Sequence, residues 1–167
     1  MRNTAKRMAL CAMLAALCVV LMLLGAVLEL GMYAAPMLAG LLFIPVGQKY
    51  GKKYHALIFA ASALLCFFIV PNAEQNLVFA GFLGWYPMAQ PGLGKLPKWL
   101  RLPVKLALFN AIVIAIEALL VLVVAPEIMG AALTAVLLIL GNITFLLYDF
   151  AIPRFEWLAA KHLKKLF

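Results

Sequence analysis

"KRMALCAMLAALCVVLMLLGAVLEL", residues 6–30, decides the fold. Two cations open it, and Met8–Leu28 then runs without a single charged residue. A helix that spans a bilayer needs ~17–25 such residues. A cleaved signal peptide has an apolar core of only ~7–15 residues and a small-residue cleavage site. This run is longer and no A-x-A site follows it. Cys11 and Cys18 each follow a Leu, which is not the setting of a lipoprotein cysteine. The stretch is read as a retained transmembrane helix.

The same composition continues to the end of the chain. Of 167 residues, 68% are hydrophobic and 12% are charged, with a mean hydropathy of +1.10. A soluble domain of this size could not bury so much apolar surface. No long polar linker divides the chain, so one membrane domain over residues 1–167 is expected. Cys11, Cys18 and Cys66 lie in apolar runs without metal spacing and are read as packing residues.

Six apolar segments can be drawn: Met8–Leu28, Gly31–Val46, His55–Val70, Gln75–Met88, Pro103–Ala125 and Glu127–Tyr148. The second, third and fourth are short for a spanning helix and must borrow flanking residues or thin the bilayer. The cations test this map. Arg2, Lys6 and Arg7 precede segment one, and Lys49, Lys52 and Lys53 separate two from three. Lys95, Lys98, Arg101 and Lys105 separate four from five, and Arg154, Lys161, Lys164 and Lys165 follow six. Those fourteen are every Lys and Arg in the chain. The other three connections carry Glu29, Glu74 and Glu127 instead. By the positive-inside rule both termini are cytoplasmic. The expected fold is all-α: six transmembrane helices in the cell inner (plasma) membrane, N-in and C-in, with a basic amphipathic C-terminal helix over 154–167. That last helix, "FEWLAAKHLKKLF", gathers Phe155, Leu158, Ala159, Leu163 and Leu166 on one face, as suits an anionic leaflet. The net charge of +8 is thereby assigned to topology, and no nucleic-acid motif is present.

Segment four then runs inward, which puts Gly84-Trp85-Tyr86-Pro87 at its cytoplasmic end. Headgroup depth suits Trp and Tyr, and Pro87 helps to stop the helix. An interfacial belt is the expected role, with a partner contact as the alternative. The stretch "AQPGLGKLPKWLRLPV" after it, with Pro91, Pro97 and Pro103, reads as an irregular or short-helix connector.

Glu117 is the most informative single residue. Counted from Lys105 and from Pro126, it falls near the middle of the bilayer, where a carboxyl costs roughly 2.5–3.5 kcal/mol to insert. Asn110 stands two turns earlier on the same face, and Asn142 of the antiparallel segment six reaches nearly the depth of Asn110. Asn142 and Asp149 again share a face. Segments five and six could present a polar seam inward, serving either as an interhelical clasp or as part of a ligand site. Tyr33, Asn72, Glu74, Gln75 and Asn76 form the opposite rim, as ordinary loop residues or as a lid over a cavity. That rim has no Lys or Arg, so a neutral or cationic ligand fits better than an anion. His55 and His162 both fall on the cytoplasmic side, which leaves no outward metal site; no metal or other cofactor is expected. Ala5, Ala9, Ala12 and Ala16 make a small-residue face on helix one, for internal packing or for docking another membrane protein. No P-loop, H-E-x-x-H or G-x-S-x-G occurs, and no enzyme activity is expected.

A chain of this length with six helices, both ends inside, and "ALCAMLAALCVVL" opening helix one resembles the S components of energy-coupling factor (ECF) transporters. The resemblance implies a membrane subunit that captures a vitamin-like micronutrient for an ATP-driven importer. It implies docking through Ala12 and Ala16 onto a transmembrane T component, driven by two ATPase subunits. It also implies lids at Tyr33 and at "PNAEQN", with Glu117 in the cavity. Two other readings stand beside it: a non-transporting membrane scaffold, and a proton-coupled carrier using Glu117.

Overall fold

A computed structural model describes residues 2–28, 33–123 and 131–165. Glu29, Glu127 and Leu166 therefore lie outside the described residues, as do Gly31, Ala125 and Phe167 at the ends of expected segments. The described residues are helical throughout, without a strand. In order the elements are α1 (Arg2–Val27), α2 (Ala34–Leu42), α3 (Ile44–Tyr50), α4 (Lys52–Ile69) and α5 (Ala73–Val78). A π-helical turn (Phe79–Leu83) follows, then α6 (Tyr86–Leu93), α7 (Lys98–Val123) and α8 (Ala131–Lys165).

Each break has a local cause. Pro45 has no N–H to give the Leu41 carbonyl. The Phe43 amide turns back to Gly40 instead, at 3.3 Å, and α2 hands over to α3. Gly51 adopts φ +93°, open to glycine at little cost, and lets α4 start one residue after α3 stops. α4 ends at Val70, held extended by the following Pro71. Asn72 then caps α5, its side-chain oxygen accepting the Gln75 amide at 2.9 Å. The π turn closes with the Gly84 amide on Phe79 O at 2.8 Å.

Among the described residues four helices are long and apolar enough to cross a membrane, in Thr4–Val27, Lys52–Ile69, Trp99–Leu122 and Leu138–Lys161. Their outward side chains are large and apolar, among them Phe68, Leu122, Ile139 and Leu147. Such a surface belongs against lipid rather than water. Between these long helices lie two broken ones, α2–α3 and α5–α6. They carry much of the interior. One core joins Leu41 and Ile44 to Phe82, Tyr86, Phe109, Phe145 and Tyr148. Phe109 and Phe145 stack at 4.8 Å and Phe82 meets both edge-on, which ties α7 and α8 to the π turn. A second core packs Cys18, Val19 and Met22 of α1 against Phe43, Ile58, Cys66 and Phe79.

Three expectations need correction. The C-terminal amphipathic segment is not a separate helix, because α8 runs unbroken for 35 residues through Pro153. Pro153 forfeits only its bond to the Asp149 carbonyl. At about 52 Å, α8 outruns a hydrocarbon core of ~30 Å. The irregular connector after segment four shrinks to residues 94–97, since α6 reaches Leu93 and α7 already begins at Lys98. Segment five therefore starts before Pro103, which lies inside α7. The bond from Arg101 to the Gly94 carbonyl helps to fasten this shortened turn.

Candidate functional site

The earlier start of α7 changes the depth of its polar residues. Glu117 lies about 9 Å along the axis from Val123 and about 28 Å from Lys98. It therefore lies in the half of α7 that approaches α5. There the Glu74 carboxylate is within Coulombic reach of Glu117, and Glu117 of Tyr33. Tyr33 donates its hydroxyl to Glu74 Oε1 at 3.2 Å. Three separated stretches, before α2, in α5 and late in α7, thus bring an aromatic hydroxyl and two carboxylates together. Glu117 is only half-buried, and among the described residues no donor hydrogen-bonds its carboxylate. Two neighbouring acids facing few donors favour a positively charged or hydrogen-bond-donating guest.

The rest of "PNAEQN" is occupied. Asn72 is the α5 cap. Gln75 is fully buried and donates to the Met22 carbonyl of α1 at 2.8 Å. Asn76, also buried, donates to the Val70 carbonyl at 2.9 Å and finishes α4. These side chains splice three helices at their ends. Their Gln75 Oε1 and Asn76 Oδ1 atoms are buried without a protein partner.

Asn110 and Asn142 meet across α7 and α8 in a reciprocal amide pair. Each Nδ2 donates to the other's Oδ1 at 2.9 Å. Each also donates within its own helix, to the Leu106 carbonyl at 2.9 Å and the Leu138 carbonyl at 2.8 Å. The pair satisfies itself and is separate from Glu117, so the seam expected from spacing is divided into independent parts.

Its third part is one that charge counting missed. Lys105, assigned above to a cytoplasmic connection, is buried at 3% exposure. Its Nζ lies 2.6 and 2.8 Å from the two oxygens of Asp149. Tyr86 donates its hydroxyl to the same carboxylate at 2.6 Å, and Gln90 lies at 3.5 Å. Tyr86 is thus not an interfacial belt residue: it is fully buried, stacked on Phe82 and anchored to Asp149. Trp85 is partly buried and turns its indole N–H back to the Gly81 carbonyl at 2.8 Å. A hint was available in sequence, since the lone Asp directly after segment six needs a cation within reach.

Among the described residues the small face of helix one packs against nothing. Ala5, Ala9, Ala12 and Ala16 are exposed, while Ala15, Cys18, Val19 and Met22 face the core. Among the described residues no cluster of His, Cys, Asp and Glu is arranged to hold a metal. His55 is buried in the bundle, and the side chain of His162 lies outside the described residues. No family model, curated protein or solved structure matches this chain.

Proposed function

We propose that this chain is a substrate-capture membrane subunit of an ATP-driven importer, of the ECF S-component kind. Six segments cross the inner membrane with both termini cytoplasmic, α2–α3 and α5–α6 crossing as broken helices. The ligand is a small, vitamin-like molecule, neutral or cationic, taken from the face opposite the Lys- and Arg-bearing ends.

The observation that carries this reading is the convergence of Tyr33, Glu74 and Glu117 at that opposite end. Carboxylates within membrane helices are costly and persist where they meet a partner or a ligand. The unused Ala5–Ala9–Ala12–Ala16 face supports docking, since small residues let a second membrane helix approach closely. A T component is the partner proposed for it, with two ATPase subunits behind.

Mass spectrometry of gently extracted protein tests the reading. A small molecule should leave with the wild type and be depleted in Glu117→Gln, and T-component and ATPase subunits should co-purify. The self-satisfied Asn110–Asn142 pair and the aromatic core favour a second reading, a non-transporting scaffold. On that reading no ligand is recovered, and Glu117→Gln changes nothing.

A further inference from the structure

At the basic end of the bundle, remote from Glu117, the surface opens into a cavity of about 130 Å³. Gln48, Lys52, His55 and Glu156 line it, with Pro87 and Pro91 among its apolar walls. It joins the end of α3, the start of α4, α6 and the late part of α8. The space matches about four waters, enough for a molecule the size of a small amino acid.

His55 is the informative member. It is 97% buried, from its 3% exposure, yet its Nε2 has no hydrogen-bond partner. A buried polar atom left unpaired costs about 1–3 kcal/mol. The ring is also held closely. A Cβ at Gly47 would meet His55 Nδ1 at 2.8 Å, so only glycine lets α3 settle over it. Phe43 contacts the ring edge-on from the other side. The imidazole is thus a fixed part of the cavity wall, its Nε2 turned away from water.

The remaining polar walls restrict the guest. Lys52 and Glu156 both line the space, and no ion pair joins them among the described residues. The Gln48 amide is committed to the Glu156 backbone carbonyl at 3.1 Å, which pins α8 at the rim. A bare anion would be repelled by Glu156, and a bare cation by Lys52. An apolar guest would desolvate Lys52 and Glu156 without pairing either. From these we infer that the cavity binds a small zwitterion, its primary ammonium directed to Glu156 and its anionic group to Lys52. The site goes beyond the capture reading and does not depend on it, because it shares no residue with the Tyr33–Glu74–Glu117 cluster. That chemistry has two sources at a membrane surface: a free amino-acid-like zwitterion and a phosphatidylethanolamine headgroup.

The test uses the full chain in nanodiscs of phosphatidylglycerol alone, titrated with glycine and with O-phosphoethanolamine. Saturable binding of at least one is expected. Ethanolamine and inorganic phosphate, the half-molecules, should bind at least about tenfold more weakly, as should the zwitterion to Glu156→Gln or Lys52→Gln. Both positions are at least partly exposed, so neither substitution empties the core. Doping the discs with phosphatidylethanolamine separates the sources. Loss of soluble-probe binding, with one lipid retained in native mass spectrometry, assigns the site to the headgroup; undiminished binding assigns it to the free zwitterion. No saturable binding in lipid free of ethanolamine overturns the inference. So do half-molecules that bind equally well, or two variants that bind as the wild type does.

Discussion

Lys105 and Asp149 are 44 residues apart in sequence and 2.6 Å apart in space, with the lysine almost wholly buried. Tyr86 completes the site by donating to the same carboxylate. Removing one member strands a charge inside the bundle, which costs about 3–5 kcal/mol. Asp149→Asn should therefore lower stability by that order in thermal unfolding in detergent. The double change Lys105→Met with Asp149→Leu should recover most of the loss, because no charge is then left unpaired. Equal losses in the single and double variants would contradict the ion pair as the anchor of α6, α7 and α8.

Pro87 has no N–H for the Leu83 carbonyl, and the Tyr148 hydroxyl takes that place at 2.8 Å. Tyr148→Phe keeps the ring and orphans a buried carbonyl, for an expected loss of about 1–3 kcal/mol. Gly40→Ala reaches the same point from the other side, since its Cβ would run into both the Tyr148 hydroxyl and the Leu83 carbonyl. A loss of about 1–3 kcal/mol is expected from that overpacking. Unfolding of the two variants beside the wild type checks both, and a neutral Tyr148→Phe would contradict the capping role.

The Asn110–Asn142 pair is expected to act as a clasp. A double-mutant cycle to Ala at both positions should return a coupling of about 0.6–1.7 kcal/mol, the range found for hydrogen bonds between membrane helices. Ligand affinity, measured on the same variants, should stay at the wild-type value. A drop in affinity without coupling would move both residues into the ligand site.

How much of this was legible depends on the kind of signal. The long apolar runs mark the four described helices long enough to cross a membrane, α1, α4, α7 and α8. The depth match of Asn110 and Asn142 followed from counting residues at 1.5 Å each, and the two amides do meet. What failed was the reading of Pro103 as a boundary and of residues 154–167 as a separate helix. Pro103 and Pro153 lie inside α7 and α8, where each removes one backbone bond and leaves the rest of the helix intact. Counting Lys105 with the connecting cations, rather than as part of the helix, hid its burial against Asp149. The π turn and the burial of Tyr86 had no local signature, because both are packed by residues of α8, Asp149 and Phe145, arriving from elsewhere in the chain.

Glu74 should matter to ligand as well as to structure. Glu74→Gln keeps an acceptor for Tyr33 but removes a charge beside Glu117. A cationic ligand should then bind about tenfold more weakly, a difference near 1.4 kcal/mol. Tyr33→Phe should give a smaller loss. Calorimetric titration of the purified variants checks the order, and unchanged affinity in Glu74→Gln would exclude it from the site.

The account rests most directly on which face of the membrane the Tyr33–Glu74–Glu117 cluster addresses. Single cysteines at Glu74→Cys and Lys95→Cys, in a chain with Cys11, Cys18 and Cys66 replaced by Ala, settle it by labelling with a membrane-impermeant maleimide. Position 74 should react in intact cells whose outer envelope admits the reagent, and position 95 only after the inner membrane is opened. Labelling of position 95 first, with 74 protected until permeabilisation, would turn the acidic cluster toward the cytosol and contradict capture from outside.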